Sequence, residues 1–319
     1  LSLTHTHTHT HTNTNTHTQG ISPAFSQANL SKRLPAFRER VREFCAVIDD
    51  HVEREREIED ITHWFMRVTI DFLASSMYGV EFNTVSGNMS SEVSSFMSLL
   101  ADTSREIFSN QAINPLRKYM IWTPAVHRQR RAVTSFIGLA KQMLSSHREK
   151  MERERERGDE VDNSMLITRI VKTPYISEDQ RAADVIGTLI AGHDTTANQL
   201  SFSLYELARH PIILSRLQRE LDTLFPSPDT PLTLEALGQC VYLQCVIKET
   251  MRLHPVVALL SPRQTNREIE YRGMVIPRGV TVVVPLYSLC RSEGIKHSLH
   301  FIPERWEERE REREKIMKI

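Results

Sequence analysis

Apolar residues recur at helical spacing over most of this chain. Between Ile61 and Tyr78, the residues Phe65, Val68, Phe72 and Leu73 fall on one face of a 3.6-residue repeat and predict a helix. Phe136 to His147 repeats the pattern more weakly. Ser177 followed by Gln180 has the form of a capping box, in which the leading hydroxyl accepts from an N–H of the first turn. It opens a long predicted helix through Val185, Ile186, Leu189 and Ile190, then Leu200, Leu204 and Leu207. Pro211 marks its end, because a proline pushes the residue before it out of the helical region. Two more helices are expected, one from Ile212 to Leu224 and one ending at His254-Pro255.

The period changes after Pro255. Ile269 to Tyr271, Met274 to Ile276 and Thr281 to Val284 are short β-rich runs, separated by Gly273 and by Pro277-Arg278-Gly279. The expected fold class is therefore mainly α with a small antiparallel β-sheet. Three Glu-Arg alternations, at Glu53 to Glu57, Glu152 to Arg157 and Glu308 to Glu314, put opposite charges three apart and predict solvated helical faces. The last runs to the chain end without a cap and reads as a frayed tail. Residues 1–20 are mostly a Thr-His and Thr-Asn alternation. His5, His7, His9 and His11 would face one way in a strand, as metal-binding histidine tracts do, but low-complexity sequence is the preferred reading. The chain thus divides into a Thr/His tract (1–20), a domain (21–306) and a charged tail (307–319).

Composition narrows the class. Apolar residues make up 40% of the 319, enough for a core. Lysine plus arginine equals aspartate plus glutamate, so no global basic field argues for nucleic acid or an anionic membrane. Cys45, Cys240, Cys245 and Cys290 fit neither a zinc spacing nor a disulfide framework, which points to a reducing compartment. No apolar run is long enough to span a membrane and no signal-peptide pattern is present. The start at Leu1 reads as a fragment.

Three motifs carry candidate chemistry. Ala191, Gly192, His193, Asp194, Thr195 and Thr196 interrupt the long helix with small residues, an acid and two hydroxyls. Glycine weakens a helix by about 1 kcal/mol, and threonine hydroxyls that bond back to a carbonyl bend it. Such a bend admits a flat ligand or a diatomic molecule, with Asp194 and Thr195 as a proton-donor chain, or it is a kink without chemistry. Glu249 and Arg252, three apart, meet on one helix face ahead of Leu253-His254-Pro255. Pro303-Glu304-Arg305-Trp306 follows as a charged turn.

In this order, A-G-H-D-T-T at 191–196, K-E-T-M-R-L-H-P at 248–255 and P-E-R-W at 303–306 resemble the cytochrome P-450 superfamily of haem-thiolate monooxygenases. Tyr271 to Gly279 resembles that family's β-hairpin, and Ser22 to Phe25 the segment after its tryptophan-arginine haem contact. The resemblance implies an incomplete cytochrome P-450 fold over residues 21–306, of fungal type and shortened at both ends. It implies haem b as cofactor, O2 and a small apolar substrate, and electrons from NADPH through a reductase. Asp194 and Thr195 would be the catalytic oxygen-activation pair. Ala191, Gly192 and Arg263 would contact the cofactor, with Arg263 on a haem propionate. Glu249, Arg252 and Arg305 would form a structural ion network. Trp64 to Gly79 and Leu204 to Pro211 resemble fungal hydroxylases of long-chain alkanes and fatty acids. The full-length relative would sit on the cytosolic face of the endoplasmic reticulum membrane. The family's F-x-x-G-x-R-x-C-x-G loop is expected after Trp306 and is not in the chain, and Cys290 lies before the motif without glycine framing. The alternative expectation is therefore a catalytically inactive remnant of the same family.

Overall fold

The computed structural model describes residues 20–91, 93–98, 100, 124–227, 229–260 and 262–307. The Thr/His tract up to residue 19 and the Glu308 to Glu314 run lie outside the described residues. The chain separates into two compact units, 1–194 and 195–319.

The first unit begins with a 3-10 turn (Ser22–Phe25) and continues through α1 (Gln27–Ser31), α2 (Leu34–Glu53), α3 (Ile61–Leu73), α4 (Pro124–Arg157) and α5 (Leu166–Lys172). It ends within α6 (Glu178–Arg209), which runs on into the second unit. The Asp60 carboxylate caps α3, accepting from Thr62 N–H at 2.9 Å and His63 N–H at 3.2 Å. A π-turn over Ala74–Tyr78 extends α3 and stops at Gly79, whose φ of 67° is a left-handed conformation that glycine takes without strain. Ser177 accepts from Gln180 N–H at 3.2 Å, the cap expected from the sequence. Helix α2 packs its Phe37 and Phe44 against Phe72 and Phe65 of α3, with ring centroids 5.2 and 5.5 Å apart. Ile70, Ala74, Tyr78, Phe136, Leu144, Ile167, Val185 and Leu189 form the buried centre.

One buried carboxylate pins this unit. Asp71 on α3 is 1% exposed and accepts from Thr84 N–H and Thr84 Oγ1 at 3.0 Å each and from Val85 N–H at 2.9 Å. The loop after the π-turn is thereby tied back to its own helix.

The second unit contains the rest of α6, α7 (Pro211–Leu224), α8 (Leu234–Gln239) and α9 (Val241–Leu253). Then come β1 (Arg263–Gln264), β2 (Ile269–Tyr271), β3 (Met274–Ile276), β4 (Thr281–Val282), α10 (Leu286–Leu289) and a 3-10 turn at Pro303–Trp306. Leu217, Tyr242, Cys245, Val246, Leu253 and Phe301 make its core. Glu220 on α7 accepts from Tyr242 N–H at 2.7 Å and Leu243 N–H at 2.9 Å, so a side chain from another helix caps α9.

The fold class is mainly α with small antiparallel ladders, as expected, and three details differ. The β segment is two separate two-stranded ladders, β1–β4 and β2–β3, rather than one sheet. Strand β4 ends at Val282, where its pairing with Arg263 ends. The Glu53 to Glu57 run is not a helical face: α2 stops at Glu53, Glu55 takes a φ of 52°, and Arg54 and Arg56 turn back onto Asp50 at 2.7 and 2.5 Å.

Replacing Asp71 by alanine leaves buried donors without an acceptor. The Asp71→Ala chain is expected to lose about 3 kcal/mol of unfolding free energy, read from the urea midpoint at unchanged slope.

Candidate functional site

The three motifs fall on α6, α9 and the Pro303–Trp306 turn. The best-defined geometry is around Glu249, which is 0% exposed. Its helix presents Glu249 and Arg252 on one face, and Arg252 closes a two-bond fork: Nε donates to Oε2 at 2.9 Å and Nη2 to Oε1 at 2.8 Å. Arg305 Nε and Ile302 N–H each donate to Oε1 at 2.9 Å, and the Trp306 indole N–H donates to Oε2 at 2.9 Å. The remaining Arg252 donors reach the carbonyls of Cys290 (2.9 Å), Ser298 (2.6 Å) and His300 (2.9 Å). Arg305 similarly reaches the carbonyls of Lys296 (2.9 Å) and His297 (3.3 Å).

The charge accounting explains this arrangement. Two guanidiniums share one carboxylate, so the cluster carries a net positive charge that the inward-turned carbonyls of 290, 296–298 and 300 stabilise. Burial pushes the Glu249 carboxyl up, and the Arg252 fork, the Ile302 N–H and the Trp306 indole outweigh it, leaving it below its ordinary value. The structure thus brings Glu249, Arg252 and Arg305 together. Sequence reasoning missed Trp306 as a member, although it adjoins Arg305, and missed the backbone partners.

The A-G-H-D-T-T segment lies in mid-α6. Ala191 is exposed, Gly192 half-buried, His193 2% exposed, and Asp194 and Thr195 half-buried. A Cβ at Gly192 would stand 2.9 Å from Leu73 Cδ1, so the glycine makes room for α3. Thr69 of α3 donates its hydroxyl to the His193 carbonyl at 3.2 Å, giving that carbonyl a partner outside the helix at the residue before the acid. The His193 ring donates through Nδ1 to the Leu189 carbonyl at 3.2 Å, and burial holds its pKa below the usual imidazole value. Asp194 and Thr195 are consecutive, so their side chains leave the helix about 100° apart. Arg263 is exposed on β1, opposite Val282.

A further buried carboxylate, in the second unit, was not foreseen. Glu206 on α6 is 4% exposed, and His254, at the C-cap of α9, donates through Nε2 to its Oε1 at 2.6 Å. The His254 ring stacks on Phe202 at 4.6 Å and 7°. Glu206 and His254 are 48 residues apart, too far for any local pattern to signal the pair.

None of the four cysteines offers an evident thiolate ligand. Burial pushes the Cys245 thiol up to about 11, aided by the Glu307 carboxylate. Burial also raises Cys240, with Glu220, and Cys45, with Asp49. Cys290 is half-buried at the C-cap of α10. Among the described residues no group of three or more His, Cys, Asp or Glu is placed to hold a metal ion. Nor is any described helix long and apolar enough to cross a membrane.

Comparison with known proteins gives the fold and the family. A crystal structure of a cytochrome P450, CYP102L1, superposes with a TM-score of 0.78 at 18% identity, covering 96% of this chain and 68% of that one. The family model "Cytochrome P450" matches residues 5–317. The chain therefore belongs to the cytochrome P450 family. Cytochrome P450 3A12 of dog (Canis lupus familiaris) is 27% identical over 297 residues, 90% of this chain and 57% of the relative. Human cytochrome P450 3A7 is 27% identical over 303 residues, 91% and 56% respectively. Human cytochrome P450 3A5 is 39% identical over 135 residues, 42% of this chain and 24% of the relative. The chain spans about half the length of the curated relatives it matches over most of its own length. These relatives are animal proteins, and none of them supports the expected fungal type.

The Glu249 carboxyl titrates lower folded than unfolded, so its stabilising contribution is present above the unfolded value and lost as pH falls through the folded one. Glu249→Ala is expected to cost about 3–5 kcal/mol at neutral pH. The stability gap between wild type and variant is expected to narrow as pH drops through the folded carboxyl's range. Urea melts across an acid pH series measure both.

Proposed function

We propose that this chain is the scaffold and distal-side part of a haem-dependent monooxygenase, which inserts one oxygen atom of O2 into an apolar substrate with electrons from NADPH through a reductase. The observation that carries the reading is the Glu249–Arg252–Arg305–Trp306 cluster, following a helix with an acid-hydroxyl pair in a small-residue segment. The haem iron supplies the oxygen chemistry when bound. Ala191 and Gly192 on α6 and, separately, Arg263 on β1 are the residues the family resemblance puts forward as contacts for haem b, although the open side of Gly192 is taken by Leu73 of α3. Cys45, Cys240, Cys245 and Cys290 do not match the family's thiolate loop.

What the chain's own residues can do is move and hold protons. Asp194 and Thr195 leave the helix about 100° apart, and together they are the carboxyl and hydroxyl proposed to relay protons. A half-buried acid beside a hydroxyl suits such a relay from solvent. Glu249, Arg252 and Arg305 act as structure: every charge there is committed to a partner.

The finer substrate reading, a long-chain alkane or fatty acid, rests on the likeness of Trp64 to Gly79 and Leu204 to Pro211 alone. The cytosolic face of the endoplasmic reticulum is the proposed location of the whole protein. The second reading, an inactive remnant of the same family, is motivated by the lack of a match between Cys45, Cys240, Cys245 or Cys290 and the family's F-x-x-G-x-R-x-C-x-G pattern.

Supply haem to the chain, reduce it and add carbon monoxide. No thiolate-type Soret band is expected from the chain alone. The band is expected once a segment carrying F-x-x-G-x-R-x-C-x-G is joined after Ile319, and its absence there would favour the remnant. In that completed protein Thr195→Ala is expected to uncouple NADPH consumption from product formation by about tenfold or more; unchanged coupling would remove Thr195 from its role.

A further inference from the structure

A polar cavity of about 350 Å³ opens in the first unit between the end of α1, the loop leading into α5, and α5 itself. Its lining includes Lys32, Glu160, Asp162 and Arg169, together with Asn163 and Ser164. Part of that charge is already committed. Asp162 Oδ1 accepts from the Ser164 N–H at 2.8 Å and the Ser164 hydroxyl at 2.5 Å, and its Oδ2 accepts from Arg33 Nη2 at 3.1 Å. Arg33 also donates to the Ser164 hydroxyl. The Arg33 charge therefore offsets that of Asp162. Lys172 donates to Asn163 Oδ1, which leaves the Asn163 NH2 group as a donor. The Arg169 guanidinium has no acceptor among the described residues, and its Nε is buried. Lys32 likewise meets no carboxylate among the described residues, and Glu160 is exposed and unpaired there.

The cavity thus holds an excess of donors. A buried donor without an acceptor is unfavourable, and a ligand, ion or water ordinarily meets it. A guanidinium and an ammonium are the two side-chain groups that bind phosphate and carboxylate oxygens. Lys32, Asn163 and Arg169 come from three separate chain segments, the C-cap of α1, the loop and α5. Three donor groups suit the three terminal oxygens of a phosphate monoester better than the two of a carboxylate. The volume lies within the range of small-molecule pockets, about 300–1,000 Å³, so a polar body fits beside the phosphate. Glu160 is an acceptor for hydroxyl groups on that body. We infer that this cavity is a binding site for a small hydroxylated phosphate monoester. The inference stands independently of the monooxygenase reading, since no lining residue belongs to α6 or to the β segment.

The test uses the chain as expressed, in a phosphate-free buffer at about 0.15 M salt, where exposed charges are largely screened. Three probes are compared by titration calorimetry: glycerol 3-phosphate, lactate and inorganic phosphate. Saturable binding of glycerol 3-phosphate is expected, with amide-exchange protection over residues 160–164. Lactate, a hydroxylated carboxylate, and inorganic phosphate, which lacks the hydroxylated body, are each expected to bind about tenfold more weakly or less. Arg169→Gln removes a cation that has no partner, so the thermal melt should hold while affinity for glycerol 3-phosphate falls about tenfold or more. Should that variant not fold, Lys32→Gln changes an exposed side chain and is expected to lower the affinity about fivefold. Arg209→Gln, on a helix outside the cavity, is expected to leave the affinity unchanged. No saturation by glycerol 3-phosphate, equal affinity for lactate or inorganic phosphate, undiminished binding by the Arg169 or Lys32 variant, or an equal loss in the Arg209 variant would each overturn the assignment.

Discussion

The carboxylate of Glu249 is the point on which the second unit depends. It is wholly buried and accepts from Arg252, Arg305, Trp306 and the Ile302 backbone. A buried carboxylate is tolerable only when its lone pairs are taken and its charge is opposed. The two arginines then need acceptors of their own, and they find them in carbonyls at 290, 296–298 and 300. A stretch with little regular structure is thereby held in one shape by side chains from α9 and the Pro303–Trp306 turn. The apolar packing around it is modest, a core of Leu217, Tyr242, Cys245, Val246, Leu253 and Phe301. Polar satisfaction therefore matters here as much as burial of apolar surface.

The long helix α6 shows a related economy. Gly192 is where Leu73 comes close, and the His193 carbonyl is met by Thr69 rather than left only to the helix ladder. The small-residue segment thus has a packing reason inside the first unit, independent of any cofactor. Further along, Glu206 takes the His254 proton donor while Phe202 stacks on the same ring. That pair joins α6 to the end of α9 within the second unit.

Much of the fold was legible because its signals are local. Ser177 and Gln180 marked the start of α6, and the β2 and β3 runs were framed by Gly273 at the residues where the strands lie. The bounds of helix α2 were not foreseen: no residue in it is fully buried, so its apolar stripe is diluted by Arg and Glu. Only the middle of α4 showed a period, because its ends are largely charged. Glu53 to Glu57 misled for a plain reason. Alternating charge stabilises a helix that something else already forms, and here Asp50 draws the arginines into a turn. Of the candidate site, Glu249 and Arg252 were readable from their spacing. Trp306 and the carbonyl acceptors were not, since a backbone oxygen leaves no mark in the sequence. The Glu206–His254 pair was likewise invisible, being set by tertiary packing alone.

The cluster around Glu249 makes one amide diagnostic. Ile302 N–H lies outside any helix or strand ladder, and its acceptor is the Glu249 carboxylate at 2.9 Å. Native-state hydrogen exchange on the unaltered chain reads its protection directly. The predicted result is that Ile302 exchanges as slowly as the amides of Val246 and Thr250 in α9, opening only when the unit opens. Exchange at the rate of the exposed backbone around Glu293 and Gly294 would contradict it.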